Sequence, residues 1–179
     1  MAVLKKIVLI VGILVALFFA IGYILPSEFR VERSITIDAP ADKIYAQVAD
    51  LEKWQDWGVW FKRDPAMQVH YDGPRSQVGM RSEWISQQEG SGVMEIIAAE
   101  PHRRLVYSLY FPEFEMGSTG EFILTDEDGK TRVQWVDYGD VGANPINHYF
   151  ALMMDSMVGP DFELGLANLK TLVENSREQ

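Results

Sequence analysis

The sequence predicts an α+β fold in which an antiparallel sheet is covered by an amphipathic C-terminal helix and preceded by one membrane-spanning helix. Three observations carry this reading. Residues 7–25 form an uncharged apolar run, residues 67 to 140 alternate with regularly spaced turn signals, and Phe162, Leu166, Leu169 and Leu172 or Val173 recur at spacings of three and four.

The apolar run, IVLIVGILVALFFAIGYIL, follows a short basic N-terminus, residues 1–6, that carries Lys5 and Lys6. As a helix it would cover about 28 Å, close to the roughly 30 Å hydrocarbon core of a bilayer. A cleaved secretory signal shares the basic start and the apolar core, and Ala20 and Gly22 could flank a cut. The run outlasts a usual signal core, however, and continues through Tyr23, Ile24 and Leu25, which favours an uncleaved signal anchor. Lys5 and Lys6 favour a cytoplasmic N-terminus, although Arg30 and Arg33 lie just beyond the other end. The expected topology is single-pass with an extracytoplasmic domain, periplasmic in a Gram-negative cell.

The remaining ~150 residues suffice for one domain with a substantial core. Without Lys5 and Lys6 they hold 14 basic and 26 acidic residues, a formal charge of −12. Such an excess opposes binding to nucleic acid and to anionic lipid, which both reward Lys and Arg. The absence of cysteine excludes disulfides, thiolate metal sites and a cysteine nucleophile.

The elements follow in order. FRVERSITIDA alternates, with Phe29, Val31, Ile35 and Ile37 on one face; Arg33 interrupts that face. Pro40 and Asp42 suit the start of a helix whose buried stripe is Ile44, Tyr45 and Val48. Asp50 can cap a second short helix through Trp57. About six strands then form a meander, its turns marked by Asp72-Gly73-Pro74, Gly90-Ser91-Gly92, Glu100-Pro101 and Asp128-Gly129. One face is expected to carry Val78, Met80 and Trp84, then Leu105, Tyr107, Leu109 and Phe111, then Val133, Trp135 and Asp137. Asn144-Pro145 opens a helical stretch that Gly159-Pro160 is expected to divide.

This order of elements resembles the START-like, or SRPBCC, superfamily. The segments that carry the likeness are RVERSITIDAPADKIYAQVADLEKWQDWGVW, QQEGSGVMEIIAAEP, RVQWVDYGD and GPDFELGLANLKTLVE. They look like the polyketide cyclase/dehydrase-type branch, over residues 28–176. The resemblance implies a helix-grip (START/Bet v 1-like) fold, in which a curved sheet wraps the last helix and leaves a cavity for an apolar ligand. It does not settle a reaction, since lipid carriers, ligand binders, cyclases and chaperone regulators share the fold.

On that frame the cavity candidates are Trp84, Tyr107, Leu109, Trp135, Asp137, Met153, Met157, Phe162 and Leu166. Asp137 shares a strand face with Trp135, so it either orients a ligand at the cavity end or turns to water as the strand leaves the core. Arg81, Glu95 and Tyr110 are further polar groups within reach of a cavity or its rim. Trp54, Trp57 and Trp60 recur every three positions and suit core packing, a cavity gate or bilayer contact. Met153, Met154 and Met157 suit a pocket lid hinged at Gly159 and Pro160, or ordinary core filling. Trp57, Trp60, Gly159 and Pro160 are therefore the gate candidates.

His70, His102 and His148 lack the spacing of a helical zinc pair, so no metal and no cofactor is expected. Gly90-Ser91-Gly92 and Gly117-Ser118-Thr119-Gly120 lack nucleophile-elbow spacing, and no catalytic set can be assigned. The expected function is a membrane-tethered, non-catalytic binding domain for a hydrophobic small molecule or lipid. The alternatives are a cyclase- or dehydratase-like enzyme and a protein-interaction module of co-chaperone type.

Overall fold

The computed structural model describes residues 1–176. Helix α1 (Ala2–Ile24) is the apolar run with most of its N-terminus, and its side chains are exposed except at Gly22. Among the described residues it is the one helix long and apolar enough to cross a membrane. Strand β1 (Glu28–Ile37) follows after three residues and keeps the expected alternation.

Helix α2 (Ala41–Val48) starts after Pro40 and buries Ile44, Tyr45 and Val48. Asp50 accepts a hydrogen bond from the Glu52 amide and so caps a 3-10 turn that leads into α3 (Trp54–Trp57) and α4 (Val59–Arg63). The meander consists of β2 (Gln68–Asp72), β3 (Arg81–Ile85), β4 (Ser91–Glu100), β5 (Arg104–Phe111), β6 (Met116–Glu127) and β7 (Lys130–Asp140). All neighbours are antiparallel and the order across the sheet is β1-β7-β6-β5-β4-β3-β2. Asp128 and Gly129 adopt φ of 53° and 85°, the left-handed pair that a two-residue hairpin between Glu127 and Lys130 requires. A bulge between Ile96 and Ala98 interrupts the β4–β5 register, a device that bends a strand.

Helix α5 (Pro145–Asn175) lies on the concave face and is capped by the Asn144 side chain. Two expectations about this region change. Val78 belongs to the exposed turn before β3, not to the inner face, while Met80 is buried as expected. Gly159-Pro160 does not divide the helix, which runs unbroken for 31 residues. Pro160 removes only one backbone donor and faces outward. Gly159 instead serves packing, because a Cβ there would lie 2.0 Å from Nη2 of Arg33. Arg33 thus has its reason for interrupting an apolar face: it crosses Gly159 and donates to Asp155 at 2.7 Å and Glu163 at 2.6 Å, both on α5.

The core lies between sheet and helices. Val31, Leu105, Phe122, Val133 and Trp135 from the strands meet Phe162, Leu166 and Leu169 from α5 and Trp54 and Trp57 from α3.

Candidate ligand cavity

Part of the space between sheet and α5 is not filled by side chains. A cavity of about 440 Å³ remains, walled mainly by apolar groups that include Trp54, Trp60, Met94, Leu109 and Phe162. That volume falls within the ~300–1,000 Å³ range of small-molecule sites.

Register sets its polar end. On β7, Asp137 is paired with Val31 of β1 and with Gly120 of β6, and Gly120 in turn with Tyr107 of β5. A Cβ at Gly120 would sit 1.9 Å from Cζ of Tyr107, so the glycine gives the phenol ring its place. Trp135 Nε1 donates to Tyr107 Oη at 2.8 Å, and burial raises the Tyr107 pKa well above its ordinary value. At the other end, a Cβ at Gly92 would fall 2.2 Å from the Trp84 indole. Gly120 on β6 and Gly92 on β4, each directly opposite its aromatic partner on the next strand, are therefore packing requirements of two wall residues.

Asp137 is 6% exposed, which decides between its two readings: the carboxyl is at the cavity, not in water. Ser118 Oγ donates to its Oδ2 at 3.1 Å, and Oδ1 makes no hydrogen bond among the described residues. Burial pushes its pKa up to about 7, with Ser118 and the Tyr138 backbone pulling the other way. Near neutral pH this group can both donate and accept a proton.

Of the cavity candidates, Trp84, Tyr107, Leu109, Asp137, Met157 and Phe162 line the space. Trp135, Leu166 and Met153 do not. Trp135 lies behind the wall, stacked on Phe162 at 4.0 Å between centroids, and Leu166 is buried one turn further along α5. Met153 points outward, half exposed, and its neighbour Met154 takes the wall position. Among the gate candidates Trp60 borders the cavity. Trp57 is fully buried in an aromatic cluster with Trp54, Phe122 and Trp135, while Gly159 and Pro160 are off the wall.

Sequence reasoning missed Ser118 as a wall residue and the polar rim. Ser118 was detectable: it lies on the inward parity of β6, two residues before Gly120. The rim is an ion-pair group in which Arg63 of α4 donates to Glu89, at 2.8 Å, and to Asp161 of α5, at 2.8 Å. Nothing in spacing could have found residues so far apart. Arg81 pairs with Glu83 and lies with Glu95 on the outer face, and Tyr110 is exposed. His70 is exposed on β2, and His102 stands in a turn at φ 65° with its ring edge to Tyr45. His148 is buried and structural, with Nδ1 2.7 Å from the Gly22 carbonyl and Nε2 2.9 Å from that of Gly142.

A curved seven-stranded antiparallel sheet holding a long C-terminal helix over an apolar cavity defines a START-like, helix-grip protein. Residues 28–174 match the polyketide cyclase/dehydrase and lipid transport family, and the chain belongs to it. Solved structures share the fold at low identity. Protein MLL2253 from Mesorhizobium loti is 19% identical with a TM-score of 0.59, over 82% of this chain and 97% of its own. A protein from Thermobifida fusca is 18% identical with a TM-score of 0.63, over 82% and 93%. DynU16, from the dynemicin biosynthetic locus, is 16% identical with a TM-score of 0.56, over 82% of this chain and 48% of that one. No curated protein sequence matches the chain.

Proposed function

We propose that this protein is a single-pass, membrane-tethered binder of an apolar small molecule or lipid, oriented in the cavity by one polar group. The observation that carries the reading is the about 440 Å³ mainly apolar cavity with the buried Asp137 carboxyl in its wall, whose Oδ1 makes no hydrogen bond among the described residues. Affinity comes from burying apolar ligand surface, at about 25 cal/mol per Å². A hydroxyl or carbonyl on the ligand meets Asp137, which can act as acceptor or donor. The uncharged run of residues 7–24 in α1 and the −12 domain support a tether that works by insertion and not by charge. The N-terminus is cytoplasmic and the domain extracytoplasmic, and binding needs no chemical step.

A second reading keeps the cavity and adds proton transfer, within the family's cyclase and dehydrase description. Asp137 favours it, since a buried carboxyl with a pKa near 7 suits general acid–base work.

The test uses the full chain, purified in mild detergent and examined by native mass spectrometry. A discrete small molecule is expected with the native protein and not with Leu109→Trp, which fills the cavity. Equal occupancy in both proteins would sink the cavity reading. Turnover of the recovered molecule, abolished in Asp137→Asn with binding retained, would promote the second reading over the first.

A further inference from the structure

The anchor does not stand apart from the domain. Tyr149 of α5 stacks on Phe18 of α1, with 4.5 Å between centroids and 7° between planes, and its hydroxyl donates to the Phe18 carbonyl at 2.7 Å. Gly22 is buried against Pro145, where a Cβ would meet the Pro145 carbonyl oxygen at 2.7 Å. Phe18 lies about 6 Å deeper along α1 than Gly22. A bilayer that covers α1 as far as Gly22 therefore also reaches the Tyr149 ring.

The surrounding surface is suited to that position. Residues 141–154 read VGANPINHYFALMM, without one charged side chain in a strongly acidic domain. Ile146, Phe150, Met153 and Met157 follow at helical spacing and are between 41% and 54% exposed. Around α5 this stripe lies between Tyr149, which holds the anchor, and Met154, which lines the cavity. Phe150 and Met157 belong both to the stripe and to the cavity wall.

We propose that the uncharged N-terminal stretch of α5, residues 145–154, is together with Met157 a second membrane-contacting surface, seated in the headgroup–acyl boundary, so that the cavity mouth opens onto the bilayer and an apolar ligand enters from lipid. This rests on the tethered reading of α1. A lone apolar stripe would suit a protein partner equally well; its contact with the anchor makes lipid the occupant. Glu28 and Asp140, which face each other at this end of the sheet, favour zwitterionic over anionic lipid.

The chain contains no cysteine, so single positions can be labelled directly. Full-length Met153→Cys, Phe150→Cys, Leu14→Cys and Thr125→Cys proteins, each carrying a fluorophore, are reconstituted into phosphatidylcholine vesicles containing nitroxide-labelled lipid. Leu14 reports the anchor and Thr125 the far end of the sheet. Labels at Met153 and Phe150 are expected to be quenched several-fold more than at Thr125, most strongly by a shallow nitroxide. Quenching at Leu14 with Met153 and Phe150 no different from Thr125 would overturn this proposal and leave the tether standing. No quenching at Leu14 would remove the tether and this proposal together.

Discussion

Ser118 donates to Oδ2 of Asp137 at 3.1 Å across β6 and β7, and this is the one side-chain hydrogen bond the buried carboxyl receives among the described residues. It offsets only part of the cost of burial, so the folded-state pKa rises to about 7. The folded form then holds a proton that the unfolded chain releases near pH 4, and stability falls as pH rises from about 4 through 7. The loss is on the order of 4 kcal/mol above that window. Asp137→Asn should flatten this fall, seen as a smaller drop in melting temperature between pH 5 and pH 8. Parallel pH profiles for both proteins would count against the buried charge.

Gly120→Ala should destabilise the domain by about 1–3 kcal/mol, since the new Cβ overlaps the Tyr107 ring and both are held in the sheet. Denaturant titration gives the cost. Apolar-probe binding should also fall, because the displaced ring is part of the cavity wall.

Arg33 and Gly159 should be coupled. A methyl at Gly159 displaces the guanidinium from Asp155 and Glu163, a surface pair group worth about 1 kcal/mol or less. In the Arg33→Ala background Gly159→Ala should therefore cost less than in the native chain, and a double-mutant cycle measures the difference. Full additivity would mean that Gly159 has another role.

His148→Ala removes the side chain that bridges the Gly22 and Gly142 carbonyls. The distance distribution between spin labels on α1 and on the β6–β7 hairpin should broaden. An unchanged distribution would show that Tyr149 and Pro145 suffice to hold α1 on α5.

Much of the architecture was legible from local pattern. The period-two runs and the Gly-bearing turns gave six strands of the meander, because side-chain alternation and left-handed turn residues are properties of short segments. The site was legible only in part. Inward parity named Tyr107, Leu109 and Asp137, yet it could not say how deep Asp137 lies, which depends on its flanking strands and above all on Val31 of β1, far away in sequence. On α5 a helical stripe separates wall from solvent by one position, so Met153 was taken where Met154 belongs. Gly159 misled for a related reason. Its role is set by Arg33, 126 residues earlier, and local propensity reports only its flexibility.

The sheet order also fixes a sequence of events in synthesis. Strand β1 emerges directly after α1, but its hydrogen-bonding partner is β7, with Glu28 opposite Asp140. At about 5–20 residues per second, β1 waits roughly 5–20 s for that partner. During this interval it is an unpaired edge, the kind of surface that recruits other chains. Strands β2 to β6 are all made before β7, so β1 stays unpaired until the meander is nearly complete and the sheet closes last at its β1–β7 seam.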